Sequence, residues 1–342
     1  FGITLSVILG FISNRYIESI KFKNDFNKIY YYLKCKPIYF VLIMGLLGSN
    51  IFISQGYEHR NEKAYKAQAY QPNHYKYCFD KVKDLSIEYC VFHSDGSYDR
   101  EANVNNVSAI ILGDSHASSV ALAILESMKN VGDKGDLIFY GHPGCLPLAD
   151  DINEIVQTDN ANSCNYRNRH ILDIIKNNAN EKTKIILSNR FPMYIYGMNE
   201  LGYDKPYQHL HYMKENHDIE INKNNIFKSY SKLIRSIYDL NKNIYIVAPI
   251  PEQKINIPKV NGKSAMLEYK GVLYSDYINR NKDIFTFINE IKGANILNPD
   301  KILCDSDLCK SSINGKSLYY DDDHLSPYGA HYISHLFDPI WN

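Results

Sequence analysis

The sequence predicts an α/β fold: a doubly wound parallel sheet of about five strands, preceded by transmembrane helices. Three observations carry that prediction. From residue 75 onward, short apolar runs alternate with longer stretches whose apolar residues recur at helical spacing. One run, Ala109 to Leu112, is uninterruptedly apolar and Ile-rich, as a strand covered on both faces must be. Ahead of this region, residues 37–57 carry no charge and are long enough to span a bilayer.

Taken in order, residues 1–18 are expected to be the end of a transmembrane helix whose start precedes Phe1. The stretch Phe1 to Asn14 is uncharged and apolar but too short to cross alone. Residues 19–36 read as a basic cytoplasmic loop; from Arg15 to Lys36, Arg15, Lys21, Lys23, Lys28, Lys34 and Lys36 face only Glu18 and Asp25. Positive charge marks the cytoplasmic side, so the helix at 37–57 should run outward. It would deliver the rest of the chain to the periplasm or cell exterior, with the protein held in a bacterial inner membrane. A signal peptide is the rival explanation of 37–57 and a buried core helix a further one, although the run is not succeeded by a small-x-small cleavage site. Residues 58–74 read as a polar linker, and 75–342 as an extracytoplasmic domain.

Within that domain the expected strands are Ala109 to Leu112, Leu137 to Tyr140, Lys184 to Leu187, Asn243 to Val247 and Ala294 to Leu297. The expected helices are Ala117 to Lys129, His170 to Asn178, Asn225 to Leu240, Tyr274 to Lys292 and Pro327 to Phe337. Ser326 and Pro327 are good N-cap and first-turn residues for the last of these. The segments Asp150 to Asn168 and Phe191 to Asn224 are long and polar, and read as insertions near the functional face. The second is rich in tyrosine (Tyr194, Tyr196, Tyr203, Tyr207, Tyr212), which can stack on sugar rings or simply pack.

The 342 residues balance 38 acidic against 38 basic side chains, so no net field attracts nucleic acid. Of the seven cysteines, none forms C-x-x-C and no Cys/His spacing suggests zinc; no metal site is expected. Six fall after residue 70. In an oxidising compartment the simplest pairing joins neighbours, Cys78 with Cys90, Cys145 with Cys164 and Cys304 with Cys309; other connectivities, or six free thiols, stay open.

Gly113-Asp114-Ser115-His116 breaks the Ile-rich strand just before a helix. That turn lies at the carboxyl end of the strand, where open α/β sheets bind ligands, and it sets Ser115 near a helix amino end. A serine hydroxyl needs a base and a group to orient that base. Near the other end of the chain, Asp321 and His324 stand three apart on a loop before the closing helix, so both can face one pocket. The alternative is that Ser115 merely caps a helix and Asp321 to Asp323 is a solvated loop. Asp114 and His116 read as turn residues, and Asp322 and Asp323 as solvated neighbours.

Gly-Asp-Ser after the first strand and Asp-x-x-His before the last helix together resemble the SGNH (GDSL-like) hydrolase and acyltransferase superfamily. The resemblance implies a Ser115-His324-Asp321 triad. It also implies oxyanion donors from the Ser115 backbone, from a glycine after the second strand, here Gly144, and from an asparagine after the third. In place of the family's Gly-x-Asn-Asp the chain reads Ser188-Asn189-Arg190-Phe191, so Asn189 is the candidate and Arg190 could replace or supplement it. With the basic loop, the single span, Gly-Cys-Leu-Pro-Leu, Ser-Asn-Arg-Phe, Ala-Pro-Ile-Pro-Glu and Asp-Asp-Asp-His-Leu-Ser, the chain looks like the C-terminal part of acyltransferase family 3 proteins with a fused SGNH domain.

That resemblance implies O-acetyl transfer to a surface glycan such as lipopolysaccharide O-antigen. The implied partners are the glycan acceptor and a membrane-embedded acyltransferase domain, with acetyl-CoA as ultimate donor there and no cofactor bound by the SGNH domain itself. A carbohydrate esterase and an inactive, membrane-tethered glycan-binding module are the competing expectations.

Overall fold

The computed structural model describes residues 7, 10–18, 36–53, 74, 78, 89–100, 104, 106–149, 156–157, 161–196, 210–211, 219–255, 257 and 269–341. The chain divides into two units, Phe1–Glu62 and Lys63–Asn342. In the first, Lys36–Ile53 is an α-helix whose described side chains are exposed, Leu46 and Phe52 among them. Among the described residues no helix is long and apolar enough to cross a membrane. The expected span at 37–57 is helical as far as Ile53, and its last four residues lie outside the described ones.

The second unit is built on a seven-stranded sheet. Its strands are β1 (Cys90–Phe92), β2 (Tyr98–Arg100), β3 (Val107–Gly113), β4 (Asp136–Gly141), β5 (Lys184–Ser188), β6 (Ile244–Val247) and β7 (Ala294–Leu297). They lie in the order β7-β6-β5-β3-β4-β1-β2. The five expected strands are β3 to β7, all mutually parallel. The sheet exceeds the expected five by a hairpin, β1 and β2, antiparallel to each other and to β4. Asp95 and Gly96 turn that hairpin, with Gly96 at φ +89°, a conformation that suits glycine.

Among the described residues, six helices of six or more residues pack on or beside this sheet: α1 (Ser115–Val131), α2 (Ala161–Asn178), α3 (Phe191–Tyr196), α4 (Ile219–Leu240), α5 (Tyr274–Glu290) and α6 (Pro327–Ile333). The alternation of β3 explains the two layers. Ile110 and Leu112 pack into a core with α2, α4 and α5, while Ala109 and Ile111 pack into a second core with α1 and α6. Burying both faces requires apolar residues at every position, which is why the strand reads as an unbroken run.

Two expected insertions are shorter than the sequence implied. Helix α2 begins at Ala161, inside the first, where Cys164 is tied to Cys145; α3 occupies the start of the second and α4 its end. Val156–Gln157 and Leu210–His211 pair antiparallel, joining the two segments. Of the tyrosines, Tyr194 is buried and Tyr196 bonds Asp283, whereas Tyr203, Tyr207 and Tyr212 lie outside the described residues. Among the described residues three disulfides join Cys78 to Cys90, Cys145 to Cys164 and Cys304 to Cys309; Cys35 lies outside them. His74, at the end of the expected linker, is buried, with Nε2 3.2 Å from the Ser118 carbonyl oxygen on α1.

Candidate active site

The parallel strands run in the spatial order second, first, third, fourth, fifth, so the strand order reverses between β3 and β5. Connections there leave opposite faces of the sheet and open a crevice at the carboxyl ends. Ser115 comes after β3, and Asn189 and Arg190 come after β5, so sequence positions far apart meet at that crevice.

Gly113 makes the close turn possible. A Cβ there would stand 2.0 Å from the Ser188 carbonyl oxygen and 2.7 Å from Ala117 Cβ. Asp114 then caps α1, its carboxylate accepting the His116 backbone N–H at 2.9 Å, and leaves Ser115 as the first residue of the helix, partly exposed. The same carboxylate accepts the Arg190 backbone N–H at 2.9 Å and the Tyr194 hydroxyl at 2.8 Å.

His324 comes from the loop before α6. The Asp321 Oδ1 atom accepts the backbone N–H groups of Asp323 and His324, and Tyr320 N–H donates to the His324 carbonyl at 3.0 Å, which closes the loop on itself. A strap from the segment after β6 holds it: Gln253 N–H donates to the Asp322 carbonyl at 2.7 Å and Ile257 N–H to that of Asp321 at 3.2 Å. Ser326 caps α6 by accepting Gly329 N–H, with Pro327 in the first turn, as the sequence implied.

These local structures bring three expected residues into line. Ser115 Oγ lies 2.7 Å from His324 Nε2, and Asp321 Oδ2 lies 2.7 Å from Nδ1 of the same ring. In the tautomer that nucleophilic attack needs, Nδ1–H donates to Asp321 and Nε2 is left to accept the serine proton. The Tyr320 ring stacks on the imidazole with centroids 5.2 Å apart.

Around the triad lies a buried charge network that the sequence reading missed. Asp323 is not solvated: it is 3% exposed, with Oδ1 3.3 Å from His324 Nδ1 and Oδ2 2.8 Å from His116 Nε2. Arg190 Nη1 also reaches Asp323 Oδ2, at 3.0 Å. Asp322 is buried as well, because the strap covers the loop and Arg190 fills the space beneath it. Arg190 is held between carboxylates: Nε lies 2.6 Å from Glu252 Oε1, and Arg280 Nε holds the other Glu252 oxygen at 2.8 Å, while Arg190 Nη2 has no hydrogen-bond partner among the described residues. Glu252 ends the Ala-Pro-Ile-Pro-Glu stretch, and its place after β6, at the carboxyl end of the sheet, was the available signal.

Electrostatics are set by these contacts. Burial alone would lower the His324 imidazole, but the charge of Asp323 and the bond to Asp321 outweigh it and raise its pKa above the ordinary value. Burial would raise Asp323; the charges of His324 and Arg190 outweigh that and hold it well below the usual carboxylate range. Asp322, buried beside the Asp323 charge, is pushed up to about 7. Ligand atoms of His116, Asp323 and His324 lie within 4.8 Å of one another, but the Arg190 guanidinium already supplies the positive charge there. We read these groups as ion-pair partners, not as metal ligands.

The remaining candidates flank the turn. His142 N–H donates to the Gly113 carbonyl at 3.2 Å, and Gly141 lies so close that a Cβ would meet that oxygen at 2.0 Å. This docks the loop bearing Gly144 beside the serine turn; Gly144 has φ +72° and open space where a side chain would go. Asn189 is buried, with Nδ2 3.3 Å from the Tyr230 hydroxyl, and its Oδ1 has no hydrogen-bond partner among the described residues.

A serine on a strand-to-helix turn at the switch point, joined to Asp-x-x-His, is the arrangement of an SGNH domain, and the model of one family matches residues 74–339. The chain belongs to the family of SGNH domains fused to AT3 domains. Among solved structures, this SGNH domain is similar to a lipopolysaccharide acetyltransferase periplasmic domain from Salmonella ser. Paratyphi A, at 16% identity and a TM-score of 0.48, covering 83% of this chain and 94% of that one. It is also similar to a possible lipase from Chitinophaga pinensis, at 12% identity and a TM-score of 0.31, covering 68% of this chain and 96% of that one. No curated protein sequence matches the chain.

Proposed function

We propose that this chain is an O-acyltransferase that moves an acyl group, acetyl in the first instance, through Ser115 to hydroxyls of a cell-surface polysaccharide such as lipopolysaccharide O-antigen. One observation carries the reading: Ser115 Oγ and Asp321 Oδ2 each stand 2.7 Å from a different nitrogen of His324. A base so placed takes the serine proton on Nε2 as Oγ attacks the acyl carbonyl, then returns it to the leaving group. A sugar hydroxyl next gives its proton to Nε2 and attacks the ester; Ser115 Oγ leaves and takes that proton back. Asp321 fixes the tautomer and steadies the imidazolium. The Ser115 and Gly144 backbones and the Asn189 amide are the proposed oxyanion donors.

The wider setting is part of the proposal. Three disulfides favour an oxidising compartment, the periplasm or cell exterior. The exposed apolar side chains of Lys36–Ile53 favour a membrane anchor in a bacterial inner membrane. The fused AT3 domain named by the family is then the partner, taking acetyl from acetyl-CoA; no cofactor is needed at Ser115 itself.

A second reading, carbohydrate esterase, is favoured by the partial exposure of Ser115 and His324, which lets water reach the acyl-enzyme. Supplying an acetyl ester with and without acceptor polysaccharide separates the two. Acetylated polysaccharide that depends on Ser115 supports transfer; free acetate at a rate indifferent to polysaccharide supports the esterase. Undiminished turnover in folded Ser115→Ala sinks both.

A further inference from the structure

The mechanism uses Asp321 and leaves Asp323 without a task, although Asp323 is the more deeply buried carboxylate at the same imidazole. We infer that Asp323 is a positioning residue: a second carboxylate for His324 Nδ1, anchored by His116 and Arg190, which shares with Asp321 the charge of the imidazolium. The inference rests on the triad reading above.

Geometry supports it from three sides. Asp323 Oδ1 is 3.3 Å from His324 Nδ1, near enough for one N–H to be shared between it and Asp321. The other oxygen, Oδ2, takes Arg190 Nη1 at 3.0 Å and His116 Nε2 at 2.8 Å, so the carboxylate cannot rotate away. His116 donates from Nε2 to an ionised Asp323 and lays its ring against His324 with centroids 5.1 Å apart, while its Nδ1 has no hydrogen-bond partner among the described residues. Arg190 is in turn clamped by Glu252, and Glu252 by Arg280, which makes a row of alternating charges that ends at the catalytic ring.

Among the described residues, the charged and titratable groups around His324 are Asp321, Asp322 and Asp323 from its own loop, His116 from α1 and Arg190 from the end of β5, with the Tyr320 ring stacked above. Asp322 points its charge at Arg190 across 4.0 Å and is raised by burial and then by the Asp323 charge, so it is the weakest contributor near neutrality. A buried imidazole with a single carboxylate has only one charge opposing desolvation; here two do.

The test tracks the His324 imidazole by NMR titration in the full chain, in the wild type, Asp321→Asn and Asp323→Asn, alongside turnover of an acetyl ester against pH. In Asp321→Asn the His324 midpoint should stay above 6.5, because Asp323 remains. In Asp323→Asn it should fall below the wild-type value, and the rising limb of the pH profile should move down with it. Turnover at the optimum should drop about ten- to a hundredfold in kcat, with KM within about twofold. Asp321→Asn is partly exposed and tests the inference even where the buried Asp323→Asn fails to fold. A midpoint at or below 6.5 in Asp321→Asn, or a midpoint unmoved by Asp323→Asn, overturns the inference while leaving the triad standing. Full turnover in Ser115→Ala would instead overturn the triad reading, and the titration would still report on Asp323.

Discussion

The carboxylate of Asp114 accepts the backbone N–H of Arg190 at 2.9 Å, tying the turn after β3 to the turn after β5, one residue before Ser115. The two strands are neighbours in the sheet, yet their connections diverge, so something must close the gap at their carboxyl ends. Asp114 does so with both oxygens, since it also caps α1 and holds the Tyr194 hydroxyl.

Replacing Asp114 with Ala should therefore cost more than a helix cap. The cap itself is worth about 1 kcal/mol, and the buried Arg190 N–H and Tyr194 hydroxyl would each lose a charged acceptor; about 2–4 kcal/mol in all is expected. The chain has a single tryptophan, Trp341, whose Nε1 donates to Ser127 Oγ on α1, so its fluorescence reports unfolding of this unit. An unfolding free energy from urea titration within about 0.5 kcal/mol of the wild type would show that these bonds of Asp114 add no net stability.

His74 makes stability depend on pH in the acid direction. Burial lowers its pKa to about 4, while the bond to the Ser118 carbonyl partly opposes that. Below 6.5 the unfolded chain binds a proton that the folded chain refuses until about pH 4, so stability falls as pH drops through that window. Between pH 7 and pH 5 this one group removes about 1–2 kcal/mol. The His74→Gln variant should lose correspondingly less over the same interval, measured by the same fluorescence. Identical slopes for both proteins would place the acid sensitivity elsewhere.

The Cys145–Cys164 bridge links the Gly144 loop to α2 across a separation of 19 residues. A loop of that length stabilises by about 3 kcal/mol in the chain-entropy account. The Cys145→Ser, Cys164→Ser double variant should lose roughly that amount, and turnover should fall further than stability explains, because Gly144 is adjacent to Cys145. Unchanged kcat in the folded double variant would remove the Gly144 loop from the oxyanion site.

What the sequence disclosed was whatever repeats locally or stands in a turn. The inner parallel strands β3 to β6 carry apolar runs because both faces are buried, whereas the edge strand β7 is partly exposed and includes Asn295, and Ser115, Asp321 and His324 sit at strand and helix ends where polar residues interrupt the pattern. The hairpin of β1 and β2 escaped because three-residue strands carry no period; Asp95-Gly96 was the signal to read. The charge network escaped for another reason. Nothing in Asp322-Asp323 separates a solvated acidic loop from a buried one until Arg190 and the strap at Gln253 and Ile257 are seen to cover it. The same contacts commit Arg190 Nε and Nη1 to carboxylates and leave Nη2 without a hydrogen-bond partner among the described residues.

Asn189 then carries most of the remaining oxyanion argument. Its amide touches the buried Tyr230 hydroxyl through Nδ2 at 3.3 Å, a long contact, while Oδ1 stands without a partner among the described residues. Oxygen and nitrogen of an amide are set by the hydrogen-bond network, and the opposite orientation lets Tyr230 donate to Oδ1 and frees the NH2 group for an oxyanion. Removing one such donor costs about 2.7–4 kcal/mol in the transition state, so Asn189→Ala should lower kcat about a hundred- to a thousandfold with KM little changed. Tyr230→Phe should leave the donor in place but loosen it, with a loss of about tenfold. If Asn189→Ala weakened only folding, and the folded fraction kept its full kcat, Asn189 would be a core residue, and Ser115 and Gly144 would have to hold the oxyanion between them.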